Sequence, residues 1–269
     1  MKNLISFYKK HLSWRPSYYK KSWKAYKYLE NYKEYLQNKH NDYQFRGGMN
    51  FSFNEKESAN HVFSEIFIGE CYPINESTKQ EKVIIDIGAN IGFFTIYALI
   101  KNPNSQILAV EANPKNFEIL KNNIYENSLS DNVRVFNYVV TSEPGLQPFY
   151  LSSNSGWSSI YNERGAKNGK IIHVDSTSLS RLLENNKLNV IDLLKIDIEG
   201  AEYDIMLKDK FLENFIVKEL FIEVDKRPRD KRYEYHDIIN FLSNHYKSIK
   251  VVGHESEYPL IICKDYINM

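Results

Sequence analysis

The sequence of 269 residues has little cysteine, almost no excess charge and no long apolar run. Its two cysteines, Cys71 and Cys263, lie far apart and outside any C-x-x-C pair, which argues against a disulfide framework and against a zinc site. A formal net charge of +1 provides no overall field that would attract nucleic acid. Neither a transmembrane run nor the apolar core of a signal peptide occurs. We therefore expect a cytoplasmic protein with no transmembrane segment and no nucleic acid partner.

The length suits one α/β domain preceded by an added N-terminal segment. We place the segment at residues 1–81 and the domain at 82–269. Up to about residue 45 the segment is rich in Lys and Tyr, and its large apolar residues recur at intervals typical of an amphipathic helix: Trp14, Trp23, Tyr26, Leu29 and Leu36. A basic, aromatic helix can rest on a membrane surface. We favour a helical cap that packs on the domain or joins two copies in a homodimer.

The segment from Lys82 to Thr95 reads K-V-I-I-D-I-G-A-N-I-G-F-F-T, which predicts a buried strand, a glycine turn and a helix. Its apolar run is typical of a central parallel strand that is covered on both faces. Asp86 interrupts the run, so we expect its side chain to point outward at the end of the strand. Gly88 and Gly92 bracket the turn, where a missing Cβ permits positive φ and lets a ligand approach the backbone. An adenosine-containing cofactor would bind at this turn.

The glycine spacing separates two classes of cofactor. A dinucleotide-binding turn has the pattern G-x-G-x-x-G, which seats a pyrophosphate at a helix N-terminus. Here the pattern is G-A-N-I-G, and Asn90 replaces the middle glycine, which suits a ligand with an amino-acid tail such as S-adenosylmethionine. Glu111 ends the next predicted strand, where its carboxylate can accept hydrogen bonds from both ribose hydroxyls. The simpler alternatives are an ordinary strand-to-helix turn and a solvated charge at a helix N-terminus.

From Lys82 onward the pattern alternates strand and helix, which predicts βαβ units and a parallel sheet. Strands are predicted at 83–87, 106–111, 133–140, 190–197 and 219–225, with helices near 91–101, 115–126, 177–185, 202–210 and 233–244. Two further apolar runs, 248–252 and 258–263, predict an antiparallel hairpin at the sheet edge. Helical periodicity is absent between residues 141 and 174, where we expect a loop that reaches over the substrate.

A second motif, at Val190 to Glu202, reads V-I-D-L-L-K-I-D-I-E-G-A-E and predicts a buried strand that ends in two carboxylates. Ligands of open α/β sheets bind beyond the carboxyl ends of the strands. We therefore expect Asp197 and Glu199 at the edge of the cofactor crevice. The alternative is that these acids only cap the following helix or hold a loop.

Together, the motifs D-I-G-A-N-I-G-F-F-T at 86–95, V-E-A-N-P at 110–114 and K-I-D-I-E-G-A-E at 195–202 resemble the FkbM family of S-adenosylmethionine-dependent methyltransferases. The resemblance implies the class I methyltransferase fold, a Rossmann-like, mostly parallel seven-stranded sheet with helices on both faces and an antiparallel last strand. It also implies an O-methyltransferase. Its acceptor would be a sugar hydroxyl, nucleotide-linked or in a glycan or polysaccharide precursor, or a hydroxyl of a glycosylated natural product. A non-sugar natural product is the alternative acceptor.

The resemblance also assigns cofactor-binding residues by their positions in the motifs. The glycine turn would contact the methionine portion, Glu111 the ribose, and two valines at the end of the third strand the adenine ring. Asp86 would hold the turn or reach the cofactor's amine. The full set is Asp86, Gly88, Ala89, Asn90, Gly92, Glu111, Ala112, Asn113, Val139 and Val140.

Methyl transfer requires an acceptor oxygen about 3 Å from the methyl carbon, and a base that takes the hydroxyl proton. Asp197 is the first candidate for the base, Glu199 the second and His173 the third, although His173 is also an ordinary strand-edge histidine. A magnesium ion that polarises a sugar diol is the alternative. Its oxygen ligands would come from Asp197, Glu199, Glu223 and Asp225.

Residues of the expected loop are candidates for acceptor binding. Trp157 and Tyr161 would stack on a sugar face, while Arg164 and Lys167 would meet the phosphates of a nucleotide-sugar. Glu223 completes the predicted acceptor site. An exposed loop tip with solvated charges is the alternative interpretation of this segment.

Three rival functions remain open from sequence. A nicotinamide-dependent oxidoreductase would need the third glycine that G-A-N-I-G lacks. A methyltransferase acting on nucleic acid bases would carry D-P-P-Y or N-P-P-Y after the fourth strand, where this chain has D-I-E-G. The third alternative is not an enzyme. It is a noncatalytic binding module that docks through its aromatic N-terminal helix.

Overall fold

The structure is a computed structural model that describes residues 16–152, 158–161, 170–209, 211–228 and 230–267. Its centre is a seven-stranded sheet. The strands of this sheet are β3 (Val83–Ile87), β4 (Gln106–Val110), β5 (Val133–Phe136), β9 (Val190–Ile196), β10 (Ile216–Glu223), β11 (Tyr246–Val252) and β12 (Leu260–Tyr266). Their order is β11-β12-β10-β9-β3-β4-β5. Strands β10, β9, β3, β4 and β5 are parallel, and β12 runs antiparallel to both of its neighbours. The predicted α/β fold class and its antiparallel last strand are confirmed.

The α-helices of the described chain are α1 (Pro16–Tyr28), α2 (Tyr32–Leu36), α3 (Lys56–Phe63), α4 (Phe93–Lys101), α5 (Pro114–Glu126), α6 (Leu179–Asn185) and α7 (Tyr235–Ser243). A π-helical segment, Ser64–Gly69, continues α3, and a second one spans Asp204–Asp209 before a short 3-10 turn at Phe211–Glu213. The predicted helix at 202–210 is therefore π-helical over most of its length. The other predicted helices of the domain are present, with ends that shift by one or two residues.

Successive residues of the central strands enter different hydrophobic clusters, so the sheet is covered on both faces. Along β3, Ile84 lies in one cluster and Ile85 and Ile87 in the other. The same alternation continues in β4, where Ile107 and Leu108 lie in opposite clusters. This explains why the central strands have continuous apolar runs.

The N-terminal segment packs on one of these faces. Leu29, Tyr43 and Phe63 are buried in the same cluster as Ile84 of β3 and Phe93 of α4. Strands β1 (Tyr43–Gln44) and β2 (Asn50–Phe51) pair to form a small ribbon within the segment. Trp23 is 57% exposed, whereas Leu29 is fully buried. Trp14 lies outside the described residues.

A second sheet lies where a long loop was predicted. Strands β6 (Val139–Val140), β7 (Gly145–Tyr150) and β8 (Ile171–Thr177) form a three-stranded sheet in the order β6-β8-β7. The predicted strand 133–140 is therefore wrong as a single element, because β5 and β6 belong to different sheets. The loop at 141–174 is also wrong at both of its ends. This sheet is only partly buried, and Leu146 and Ile171 are exposed, so it lacks the apolar alternation by which a strand is recognised.

Within the described residues, no helix combines the length and the apolar character that crossing a membrane requires.

Candidate active site

A cavity of about 810 Å³ opens at the carboxyl ends of β3, β4, β9 and β10. The strand ends supply residues 87–90, 110–112, 197–199 and Glu223 to its wall. Further parts of the wall come from α3 and the π-helical segment, from residues 138–140, and from Ser256, Tyr258 and Leu260 of the edge hairpin. The position agrees with the rule that ligands of open α/β sheets bind beyond the carboxyl strand ends.

The glycine turn after β3 is held by hydrogen bonds within the turn and to the end of β4. The N–H groups of Gly88 and Ala89 both donate to the carbonyl of Val110, at 2.9 Å each, and Gly92 donates to the carbonyl of Ala89 at 2.9 Å. The Asn90 N–H donates to Glu111 Oε2 at 2.8 Å. These N–H groups already donate to acceptors within the protein, so the turn does not present them to a pyrophosphate.

Both glycines of the turn have a positive φ, and a Cβ added to either one would lie too close to a different neighbour. Gly88 has a φ of +80°, and a Cβ there would come within 1.8 Å of the carbonyl oxygen of Asp197. A Cβ on Gly92, at a φ of +105°, would lie 2.9 Å from Leu120 Cδ1. Gly88, Ala89 and Asn90 line the cavity, whereas Gly92 packs behind it.

Glu111 lies in the cavity wall with its carboxylate already ordered. Oε2 accepts from the Asn90 N–H and Oε1 accepts from the Asn113 N–H, both at 2.8 Å. Burial raises the pKa of Glu111 to about 7, although these two backbone donors oppose the shift. Each oxygen retains a further lone pair for a ligand hydroxyl. Asn113 itself caps α5 through its side chain.

An apolar wall stands beside Glu111. Ala112, Tyr138, Val139 and Val140 line the cavity here, and both valines are buried. An aromatic ligand ring would have apolar contacts on this side and the carboxylate of Glu111 at its edge. This combination of an apolar wall with a few placed polar groups is typical of small-molecule sites.

Asp86 does not point outward, and this prediction is wrong. Its side chain is fully buried, where Oδ2 accepts from the Thr95 hydroxyl at 2.7 Å and Oδ1 lies 3.2 Å from Lys195 Nζ. Asp86 therefore lies beneath the turn, not in the cavity wall.

Lys195 is the most important site residue that the sequence analysis missed. Its ammonium is buried, donates to the carbonyl of Gly88 at 2.8 Å, and lies 3.6 Å from Asp197 Oδ2. Burial opposes its charge, but Asp86 and Asp197 together raise the pKa of Lys195 above its ordinary value. The sequence did contain an indication of this pair. A lysine interrupts the apolar run of β9, and an aspartate interrupts that of β3.

Three carboxylates from distant parts of the chain influence one another in the cavity. Glu65 comes from the N-terminal segment, Asp197 from the end of β9 and Glu223 from the end of β10. Burial, with repulsion from Asp197 and Glu65, raises the pKa of Glu223 to about 8. Burial also raises the pKa of Glu65. The lining therefore favours a ligand that is neutral or cationic where it meets these acids.

The part played by the N-terminal segment was also missed. Glu57, His61 and Glu65 line the cavity, followed by Cys71 and Tyr72. The first three are spaced four apart, which places them on one helical face, and His61 Nδ1 lies 3.2 Å from Glu65 Oε2. Burial raises the pKa of the Cys71 thiol to about 12, so this thiol is a poor nucleophile.

The other predicted catalytic residues occupy different positions. Glu199 lines the cavity with a φ of +61°, and its carbonyl accepts from the Ser159 hydroxyl at 2.7 Å. His173 is an exposed residue of β8 paired with Pro148, and it is not part of the cavity wall.

Of the predicted acceptor-binding residues, one lines the cavity and another does not. Glu223 lines the cavity, whereas the Tyr161 hydroxyl donates to Asp204 Oδ2 at 3.1 Å, outside the wall. Trp157, Arg164 and Lys167 lie outside the described residues.

In the described parts of the chain, no group of three or more His, Cys, Asp or Glu side chains is arranged to hold a metal ion. Of the four oxygen ligands suggested from sequence, Asp225 is buried away from the cavity, and its Oδ1 accepts from the Arg227 N–H at 3.0 Å.

The residues that line the cavity fit S-adenosylmethionine. Glu111 offers acceptors for a ribose diol, the valine wall offers a surface for adenine, and the carboxylates near Lys195 suit a ligand that carries an ammonium and a sulfonium. The N–H groups of the turn already donate within the protein, so they do not suit a dinucleotide pyrophosphate.

Similar sequences and similar folds occur among known proteins. A family model described as the methyltransferase FkbM domain matches residues 86–249. The chain is 30% identical over 179 residues to methyltransferase sdnD of Sordaria araneosa, across 56% of this chain and 69% of the relative. It is 25% identical over 177 residues to the 31-O-demethyl-FK506 methyltransferase FkbM of Streptomyces tacrolimicus, across 55% and 67%. Among solved structures, the precorrin-6y C5,15-methyltransferase of Geobacter metallireducens GS-15 has a TM-score of 0.39 and 14% identity, across 78% of this chain and 87% of that one.

Proposed function

Because the chain belongs to the FkbM family of S-adenosylmethionine-dependent methyltransferases, we propose that it methylates a hydroxyl of a sugar. The sugar would be nucleotide-linked or part of a glycan or natural-product precursor. The observation that carries this proposal is the shared cavity, whose wall contains both Glu111 at the donor end and Asp197 beside Lys195. One cavity of about 810 Å³ offers room for a donor and an acceptor side by side.

Glu111 would hold the ribose, Val139 and Val140 the adenine ring, and Gly88 to Asn90 the methionine portion. When bound, S-adenosylmethionine supplies an electrophilic methyl group. The protein would exclude water from this donor with α3 and the edge hairpin, both of which line the cavity.

Asp197 would take the proton of the acceptor hydroxyl. Its side chain is about one-third exposed, so it reaches the cavity, and Lys195 Nζ lies 3.6 Å from its Oδ2. A carboxylate held at this position can accept a proton from a bound hydroxyl. Glu223 is less suited to this role at neutral pH, because its pKa of about 8 keeps it largely protonated.

The acceptor would lie between the N-terminal segment and the edge hairpin. Ser256 and Tyr258 of the hairpin, with His61 and Glu65 of the segment, provide polar groups for sugar hydroxyls. The acidic lining supports a neutral or cationic acceptor more than a phosphate at this end. A hydroxyl acceptor is further supported by the relative named for its action on 31-O-demethyl-FK506. A non-sugar natural product is the second candidate acceptor.

Calorimetry with S-adenosylhomocysteine and with NAD tests the donor half of the proposal. We expect heat with the first ligand alone. Binding of neither would instead favour a noncatalytic module. Incubating the protein with S-adenosylmethionine and a panel of sugars, nucleotide-sugars and polyketide alcohols, followed by mass spectrometry, tests the acceptor half. Turnover lost on EDTA treatment and restored by Mg²⁺ would favour the metal alternative over Asp197 acting alone.

A further inference from the structure

Tyr72 is a buried residue of the cavity wall to which neither the motifs nor the mechanism gives a role. It follows the first π-helical segment and is only 5% exposed. Its ring stacks on Phe221 of β10, with centroids 5.9 Å apart, and meets Phe94 of α4 edge-on at 5.0 Å. Its hydroxyl has no hydrogen-bond partner in the described structure, yet it is not among the fully enclosed polar atoms, so a ligand atom can reach it from the cavity.

The strand register shows which carboxylates lie near this hydroxyl. Phe221, on which Tyr72 stacks, is paired with Lys195 in the parallel register of β10 and β9. Glu223 and Asp197 each follow two residues later, so their side chains project from the same face of the sheet as Phe221. Burial raises the pKa of Tyr72, and the charges of Asp197 and Glu223 add to the shift. The Tyr72 hydroxyl therefore stays protonated beside two acids.

Glu223 is the acid of this group that lacks a counter-ion. Within the described residues its carboxylate forms no hydrogen bond and no ion pair. Asp197, by contrast, lies 3.6 Å from the ammonium of Lys195. Burial raises the pKa of Glu223 to about 8, and the charges of Asp197 and Glu65 add to the shift. A proton on Glu223 thus relieves the repulsion in the ligand-free cavity, and a ligand cation would replace that proton.

We propose that the acceptor carries a protonated amine beside the hydroxyl that is methylated, as an amino sugar does, and that Glu223 and Tyr72 bind this part of it. This inference rests on the proposed function. The ammonium would lie against Glu223, and the Tyr72 hydroxyl would donate to a neighbouring oxygen of the sugar. Asp197 keeps its role as the base for the adjacent hydroxyl. An ammonium has no lone pair, so it serves in recognition and does not compete for the methyl group.

An organic cation suits these acids better than a metal ion. Mg²⁺ demands near-octahedral coordination by oxygen ligands, and in the part of the chain that the structure describes no three acidic, His or Cys side chains are arranged to hold a metal. An ammonium needs only three hydrogen-bond acceptors, which carboxylates on separate elements of the wall can supply.

A matched set of sugars tests for the amine. Glucosamine, glucose and N-acetylglucosamine differ at one carbon, which carries an ammonium, a hydroxyl or a neutral amide. Each sugar is titrated by ligand-detected NMR into the protein saturated with S-adenosylhomocysteine, so that the cofactor's own amine is already bound. We expect glucosamine to bind roughly tenfold more tightly than either neutral sugar, or better. Equal affinities for the three sugars, or no binding of glucosamine, would overturn the inference.

Glu223→Gln should abolish the preference for glucosamine and leave the affinity for S-adenosylhomocysteine unchanged. If S-adenosylhomocysteine binds more weakly to this variant, the acid serves the cofactor's ammonium and the inference is wrong. Glu219→Gln is the matched control, because it removes an equal charge from the same strand outside the cavity wall, where Glu219 pairs with Lys264 at 3.1 Å. It should leave the preference intact.

Tyr72→Phe should weaken glucosamine binding about three- to tenfold. It should not lower the melting temperature, since the hydroxyl has no protein partner to lose. Tyr246→Phe should show the opposite pattern, because the Tyr246 hydroxyl donates to the carbonyl of Val217 at 2.9 Å, away from the cavity wall. Undiminished glucosamine binding by Tyr72→Phe would contradict the role of this hydroxyl. Failure of the natural protein to bind S-adenosylhomocysteine would overturn the proposed function instead.

Discussion

Lys195 and Asp86 form a buried ion pair between the two central strands, with Nζ and Oδ1 3.2 Å apart. The parallel register of β3 and β9 pairs these two residues directly, so their side chains project from the same face of the sheet. Lys195 also donates to the carbonyl of Gly88 and lies beside Asp197. One ammonium thus links the glycine turn of the donor site to the acid proposed as the base.

Lys195→Met should lower the free energy of unfolding by about 3–5 kcal/mol, because Asp86 is left buried without a cation. Adding Asp86→Asn should restore much of this loss. Urea unfolding measures both changes. As a control, Lys218→Met breaks a pair with Asp192 in which the lysine side chain is 58% exposed, and it should cost less than about 1 kcal/mol. Equal losses for Lys195→Met and Lys218→Met would contradict this account of the buried pair.

Gly88→Ala should disrupt the site as well as the fold, because the new Cβ would lie 1.8 Å from the backbone oxygen of Asp197. Strands β3 and β9 would have to separate at their carboxyl ends. Gly47→Ala is the matched control, since Gly47 also has a positive φ of +98° but no atom within 4 Å of the added Cβ. It should cost about 1 kcal/mol and leave the affinity for S-adenosylhomocysteine intact. The prediction fails if thermal melting ranks the two variants equally.

Asp197→Asn should retain S-adenosylhomocysteine binding and lose most turnover, by roughly 10² to 10⁴. The amide preserves the shape of the side chain but cannot take a proton. Calorimetry and a single-turnover methylation assay, with the acceptor found by screening, measure the two properties separately. Glu199→Gln is the matched comparison, because it changes only the carboxylate, while the backbone carbonyl of Glu199 still accepts from Ser159. Undiminished turnover in Asp197→Asn would remove this residue from the base role.

The affinity for S-adenosylhomocysteine should rise with pH through about 7. Glu111 has a pKa raised to about 7 by burial, and ribose hydroxyls donate more strongly to the carboxylate than to the neutral acid. Between pH 6 and pH 8 the gain should reach up to about tenfold, measured by calorimetry. In Glu111→Gln this pH dependence should largely disappear. A natural protein whose affinity is constant over this range would exclude Glu111 from ribose binding.

Glu223 should make the protein less stable as the pH rises from about 5 to about 8. Its pKa is raised on folding to about 8, so the folded state binds a proton that the unfolded state releases near pH 4.5. The stabilising contribution is therefore present at low pH and lost as the pH passes through 8. Relative to Glu223→Gln, the natural protein should lose about 1–3 kcal/mol across this window. Melting curves at several pH values check this, and a difference that is independent of pH would contradict it.

Two features of the site could be predicted because they are encoded within short stretches of chain. The glycine turn and Glu111 lie at the ends of strands with strong apolar runs, so their order places them at one sheet edge. Asp197 and Glu199 follow from the same rule. The outward direction of Asp86 was wrong because it was inferred from β3 alone, whereas its partner Lys195 lies on β9.

The α/β class, the order of the central elements and the edge hairpin could be predicted from the amino-acid sequence, because periodicity and turn chemistry act over a few neighbouring residues. The folded chain was needed to show which distant groups meet: Glu65 with Asp197 and Glu223, and Lys195 with Asp86. It was also needed to show that the N-terminal segment forms a wall of the cavity and that β7 and β8 form a sheet. Burial and charge depend on which strands become neighbours, and strand order is set by the packing of the whole sheet.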